Sequence, residues 1–216
     1  NALYLNTTGY SNSAMGLSAL YSNTTGTNNS AAGKGALYSN TTGYWNSAMG
    51  AQALYSNTTG VGNVGVGLNA LYYNTTGSGN TYINPLNNLG NYSPVFANST
   101  ENNRVAIGST AVTNAYIKVG WTVTSDARDK TEFAEVPHGL DFVTKLKPTA
   151  YRFKVDRDTD VAAGRVRYGF LAQDILALEG DAPVVIDNDD TDYLRYNESS
   201  LTPILVKAIQ EQQALI

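Results

Sequence analysis

Ser125, Asp126, Arg128, Asp129 and Lys130 are crowded into the six residues SDARDK. A serine hydroxyl becomes a nucleophile only beside a group that takes its proton. The chain has one histidine, His138, so no histidine-centred triad is on offer, and that residue reads as a turn or surface histidine. A lysine serves as base when burial or nearby positive charge lowers its pKa from about 10.4. Arg128 would act in that direction on Lys130, whereas Asp126 and Asp129 would oppose it if they sit close. Asp126 is also placed to orient Ser125 or to polarise the neighbouring bond. A purely structural reading competes: a helix start with Ser125 as N-cap and the acids in the first turn.

The cluster lies on a border in composition. Between Asn1 and Thr100 the only charged side chain is Lys34, and all 18 carboxylates follow from Glu101 onward. Glycoside hydrolysis usually needs a pair of carboxylates, so if the first half meets sugar it binds it without cutting it. The net charge of −4 argues against a nucleic-acid surface. No apolar run approaches the ~20 residues of a membrane span, and no membrane insertion is expected. With no cysteine and a single histidine, no disulfide, cofactor or metal is expected. Asn1-Ala2-Leu3-Tyr4 already lies inside a repeat, which suggests a piece of a longer protein.

That repeat is strict. ALYLNTTG, three copies of ALYSNTTG and ALYYNTTG begin at Ala2, Ala19, Ala36, Ala53 and Ala70, with NSAMG-like blocks between them. A solenoid or stacked array follows. Each unit divides into two short extended segments and two turns, with period-2 alternation favouring strands. Gly9, Gly26, Gly43, Gly60 and Gly77 are expected at positive φ in the turns. Leu3, Leu20, Leu37, Leu54 and Leu71 should stack as one buried column, and Met15, Ala32, Met49, Val66 and Ile83 as a second. Asn and Thr should form ladders along the axis. The Asn-Thr-Thr sequons read as turns, not glycosylation sites. Tyr4, Tyr21, Tyr38, Tyr55 and Tyr72 form either a stripe for sugar stacking or, preferably, a ladder packed at a subunit boundary.

One such coil buries little, against roughly 1–2 kcal/mol of backbone entropy for each ordered residue. A core shared by three chains, a homotrimer, is therefore expected. The repeat over roughly residues 1–115 resembles the head of trimeric autotransporter adhesins and the stacked repeats of phage tail fibres. NRVAIGSTAVTNA, from Asn103 to Ala115, is similar to the adhesin NSVAIG unit.

Beyond a strand-like stretch from Tyr116 to Thr124, the chain reads as helix into strand, strand into helix, then a closing helix. Ser199 or Ser200 is the expected cap of that last helix, with Pro203 in its first turn. Leu201, Ile204, Leu205, Ala208, Ile209, Leu215 and Ile216 give it an apolar face suited to a three-chain coiled coil. SDARDK, LKPTAYRFK, YGFLAQDI and LVKAIQEQ occur in the order and spacing of a known domain. Residues 125–216 thereby resemble the C-terminal intramolecular chaperone of phage tail fibres, tailspikes and endosialidases. The resemblance implies a domain that trimerises, templates folding of the fibre and then cuts itself off. It implies a Ser125–Lys130 dyad, a supporting role for Asp126, and a scissile bond between Thr124 and Ser125. Ser125 would attack the Thr124 carbonyl as an N-to-O acyl shift followed by hydrolysis, or act on a neighbouring chain.

The expected fold is mainly β: a trimeric β-solenoid or β-roll over 1–115, a connecting strand over 116–124, and an α+β chaperone over 125–216 ending in a coiled-coil helix. The expected function is a tail fibre or tailspike tip that attaches to a host-cell surface receptor, a glycan or a protein. It would reside in the virion tail, with the released chaperone left in the host cytoplasm. Two alternatives stand beside it. One is a bacterial trimeric adhesin head with a non-cleaving cap. The other is a membrane-bound transcription factor, which would need a basic DNA-binding module that the uncharged repeats are not.

Overall fold

The computed structural model describes residues 1–86, 90–92, 94–95, 99–112, 115–116, 118, 123–155 and 157–216. The chain forms two compact units, Asn1–Val112 and Thr113–Ile216.

The first unit is a β-solenoid. Its six strands are three residues each: β1 (Ser13–Met15), β2 (Ser30–Ala32), β3 (Ser47–Met49), β4 (Val64–Val66), β5 (Thr81–Ile83) and β6 (Val105–Ile107). They pair in parallel and in sequence order, so Ser13 lies opposite Ser30 and Ser30 opposite Ser47. The last step, Thr81 to Val105, carries a longer connection than the steps before it. Each coil has one strand, not the two extended segments expected. The rest is turn whose N–H groups donate to the next coil, as Leu20 N does to Ala36 O at 2.9 Å and Ser22 N to Tyr38 O at 3.0 Å.

Leu20, Leu37, Leu54 and Leu71 form the expected buried column. They do so with φ between 50° and 55°, a left-handed conformation costing about 1–3 kcal/mol for a non-glycine residue. That is close to the roughly 1.5–3 kcal/mol gained by burying a leucine, so the column needs support from its neighbours. The second expected column is wrong. Met15 and Met49 are 71% and 59% exposed, and Ile83 also faces outward. In a three-residue strand the pleat sends the middle side chain one way and both flanks the other. The inward positions are therefore Ala14, Ala31, Ala48, Gly65, Tyr82 and Ala106.

Two asparagine ladders supply the support. Asn23, Asn40, Asn57 and Asn74 each donate Nδ2 to the Oδ1 one coil earlier, at 2.7–2.9 Å. Asn29, Asn46 and Asn63 repeat the pattern and also donate to the glycine carbonyl of the next coil at 2.8 Å. Buried and doubly bonded, the asparagines of the Asn-Thr-Thr sequons from Asn23 on are not glycan acceptors. Threonines bond differently from the ladder expected: Thr24 Oγ1 donates to the backbone O of Thr41 at 3.1 Å.

The ladders also explain Gly9, Gly26, Gly43, Gly60 and Gly77, whose φ is not positive as expected. A Cβ on Gly43 would lie 2.6 Å from the Gly60 carbonyl O and closer still to Asn40 Oδ1. These glycines are required by close approach. The sequence pattern alone does not separate that need from a need for positive φ.

Asn46→Ala tests the ladder. It leaves Asn63 N without its acceptor in a buried position and leaves Gly60 O with the longer 3.2 Å bond from Asn57 Nδ2. At about 1–3 kcal/mol for the orphaned N–H and about 0.5–1.5 kcal/mol for each further bond lost, a stability loss of about 2–4 kcal/mol is expected in chemical denaturation. A loss under ~0.5 kcal/mol would contradict the ladder's role.

The second unit is α+β. Helix α1 (Leu140–Val143) leads into β7 (Thr149–Lys154), which pairs antiparallel with β8 (Ala162–Gly169) across a register shift between Tyr151 and Phe153. Helix α2 (Ala172–Glu179) follows, then the short pair β9 (Ile186–Asp187) and β10 (Arg195–Tyr196), then α3 (Glu198–Ala214). Phe142, Ile175, Val185, Ile186, Leu201 and Ile204 form its core. The expected order of helices and strands is present. The strand expected over 116–124 falls largely on residues 117 and 119–122, outside the described residues.

Helix α3 corrects two details. Its N-cap is Asn197, not Ser199 or Ser200, and Pro203 lies inside the helix beyond its first turn. Leu201, Ile204 and Ala208 pack into the chain's own core, whereas Leu205, Ile209, Leu215 and Ile216 are exposed.

Candidate active site

Val123 to Asp126 carries no regular structure, and a 3-10 turn follows from Ala127 to Asp129. Asp126 has extended backbone and caps that turn, accepting from Arg128 N at 2.9 Å. Asp129 N donates to Asp126 O at 3.1 Å and Lys130 N to Ala127 O at 3.2 Å. The turn folds the segment back on itself. Lys130 Nζ thereby reaches Ser125 Oγ and donates to it at 2.6 Å. That distance lies within the ~2.6–3.2 Å over which a side chain can transfer a proton. Both side chains are exposed in the single chain.

Asp126 does a different job. Its carboxylate accepts from Arg128 Nη2 at 2.6 Å and from Nε at 3.1 Å. The Arg128 guanidinium, and secondly the Arg128 backbone N–H, hold the Asp126 carboxyl below the usual carboxylate range. Asp126 therefore stays ionised across the neutral range, and its charge is directed at Arg128. The N-cap expected at Ser125 sits one residue later, which leaves the serine hydroxyl free for Lys130. The carbonyl of Thr124 immediately precedes the serine in the same unstructured stretch.

His138 lies elsewhere: its ring stacks on Phe142 with centroids 4.4 Å apart. The segment between the turn and α1 is tied to α3, where Lys207 Nζ donates to Val136 O at 2.6 Å and Glu211 Oε2 accepts from Leu140 N at 2.7 Å. A Cβ on Gly139 would collide with the Glu211 carboxylate.

One residue here is unmarked by any sequence motif. Glu179, at the end of α2, is buried and accepts from the N–H groups of Val184, Val185 and Ile186 at 2.8, 2.7 and 3.0 Å. Three converging backbone donors fix the loop after α2 and start β9. Among the described residues, no cluster of three or more His, Asp or Glu side chains is arranged to hold a metal ion. Nor is any described helix long and apolar enough to cross a membrane.

Residues 125–182 match the family described as the chaperone of endosialidase. This stretch is similar to the endosialidase-type chaperone. The match begins at Ser125, the serine that Lys130 holds. It runs through the chaperone's α1, β7, β8 and α2 and takes in Glu179, which pins the loop that follows. A β-solenoid followed by this chaperone fits a phage tail fibre with a C-terminal chaperone. No curated protein and no solved structure matches the chain.

Proposed function

We propose that the chain is the tip segment of a phage tail fibre or tailspike that attaches to a host-cell surface receptor. In this reading its C-terminal chaperone assembles three copies, templates their folding and then releases itself between Thr124 and Ser125. The observation that carries the cut is the 2.6 Å contact between Lys130 Nζ and Ser125 Oγ at the first residue of the chaperone segment.

The chemistry balances without a cofactor. Neutral Lys130 accepts the Ser125 hydroxyl proton as Oγ bonds to the Thr124 carbonyl carbon. The Thr124–Ser125 C–N bond breaks, the nitrogen takes the proton from Lys130, and an ester joins Thr124 to Oγ. Water then hydrolyses the ester, leaving a Thr124 carboxylate and a new amino terminus at Ser125. Desolvation favours a neutral amine, and two further copies packed around the exposed dyad would supply it.

Support for three copies is the apolar surface that one chain leaves open. Met15, Met49, Ile83 and Ile107 form an outward stripe along the solenoid, and Leu205 and Ile209 do so along α3. Their spacing on the helix suits a coiled-coil seam. The fibre would reside in the virion tail, with the freed chaperone staying in the host cytoplasm.

Truncating the gene before Ser125 tests the chaperone role. Residues 1–124 made alone should be insoluble or monomeric. The same segment released after assembly should scatter light as a trimer and resist heat, because separating assembled chains faces a high kinetic barrier. Soluble trimers from the truncated gene would refute the role, and a folded full-length monomer at micromolar concentration would refute the trimer.

A further inference from the structure

Within the strict repeat some positions vary, and three of these meet in one place. The position before each Ala-Leu-Tyr holds Asn1, Ser18, Gly35, Gln52 and Asn69 in turn. The position after the tyrosine holds Leu5, then Ser22, Ser39 and Ser56, then Tyr73. Gln52, Asn69 and Tyr73, with Tyr72 and Tyr92, line a recess of about 210 Å³ within the first unit. Tyr92 comes from the longer connection between β5 and β6, and bridges to Leu86.

The rings make a corner. Tyr72 ends a stack that runs from Tyr4 with centroids 5.0–5.1 Å apart. Tyr73 stands nearly perpendicular to it at 4.9 Å, and Tyr92 nearly perpendicular to Tyr73 at 5.6 Å. Tyr73 is 58% exposed, so its face is open. Beside these rings Asn69 Oδ1 is buried with no hydrogen-bond donor among the described residues, an omission that costs about 1–3 kcal/mol. Gln52 adds an amide that both donates and accepts. Among the described residues no charged side chain lines the recess.

We propose that this recess binds one neutral hexopyranose residue of a surface glycan. The C–H face of the sugar would lie on Tyr73, and its hydroxyls would meet the side chains of Gln52 and Asn69. The volume is below the ~300–1,000 Å³ of ordinary small-molecule pockets, which suits a single ring of a longer chain. The absence of charge selects a neutral sugar over a sialic acid. The recess has no carboxylate pair, so the sugar is held and not cut. This deepens the attachment reading above and rests on it.

The repeat supplies mild variants: Tyr73→Ser and Asn69→Ser restore the residues found at Ser56 and Ser18. Full-length wild type and variants are passed over immobilised neutral oligosaccharides ending in glucose, galactose or N-acetylglucosamine, with a sialylated one as control. Wild type should bind at least one neutral probe, and both variants should bind it about tenfold or more weakly, with melting no lower than wild type. Trp45→Asn alters another exposed aromatic, paired with Tyr44, toward the residue at Asn28, and should bind as wild type. No neutral binding at millimolar probe overturns the proposal, as does preference for the sialylated probe. Binding that survives Tyr73→Ser, or is lost in Trp45→Asn, overturns it as well. Cleavage at Ser125 is read on a denaturing gel for each protein. Normal cleavage without sugar binding removes this site alone and leaves the chaperone reading intact.

Discussion

Ser125→Ala should leave every chain of the assembled protein whole. The substitution deletes the oxygen that Lys130 Nζ touches at 2.6 Å, and makes no cavity, because Ser125 is exposed. Folding should be unchanged while the cut disappears. Lys130→Ala keeps the nucleophile without its proton acceptor and should slow cleavage by about 10²–10⁴-fold, the usual range for one acid–base group. Lys130→Arg is the sharper test: guanidinium can donate to Ser125 but does not give up its proton. If arginine restores cleavage, the contact only positions the serine.

Asp126→Ala should fall between these extremes, because it removes the cap of the 3-10 turn and frees Arg128. The sign of its pH dependence follows from its lowered pKa. A carboxyl held below its ordinary value of 3.8 contributes its cap at all pH above that value and loses it only as pH falls further. Titration of Asp126 should therefore put no inflection in the cleavage rate above about pH 4. His138→Ala should cleave at the wild-type rate, since that ring packs on Phe142.

Glu179→Ala should unfold the chaperone unit. Its carboxylate satisfies three backbone N–H groups, two of which belong to the buried Val185 and Ile186. Hydrogen bonds to a charged group contribute about 1.5–3 kcal/mol each, and orphaned donors add to the loss. A total of about 3–6 kcal/mol is a large part of the ~5–15 kcal/mol of a typical domain. Loss of β9 and of the packing around Ile175 should follow, and with it loss of assembly and cleavage. Glu179→Gln keeps an acceptor and should cost roughly half as much by the same accounting. Denaturation midpoints of the two variants check the order. Wild-type stability in Glu179→Ala would show that the loop is held by something else.

The sequence was most legible where one rule acts repeatedly. A period held from Ala2 to Ala70 implies stacked coils, and identical neighbours imply ladders of Asn, Leu and Tyr. It was least legible where a side chain's direction depends on strand length. Met15 and Met49 belong to strands so short that only the middle residue turns inward, so apolar character alone misplaced them. Gly43 looked like a turn glycine, but the atoms that exclude a Cβ there come from Asn40 and from the next coil's Gly60. In the second unit, the Ser125–Lys130 spacing was visible, whereas the turn that closes it depends on Asp126 taking the cap. Glu179 left no trace, because its partners are backbone groups that any residues would supply.

Self-cleavage before Ser125 in the assembled protein is tested by mass spectrometry of refolded, assembled wild type beside Ser125→Ala. Wild type should give two pieces, one ending at Thr124 and one beginning at Ser125. Ser125→Ala, and wild type kept denatured, should each give a single full-length mass. A full-length mass in fully assembled wild type, or a new amino terminus at residue 125 in Ser125→Ala, would contradict it.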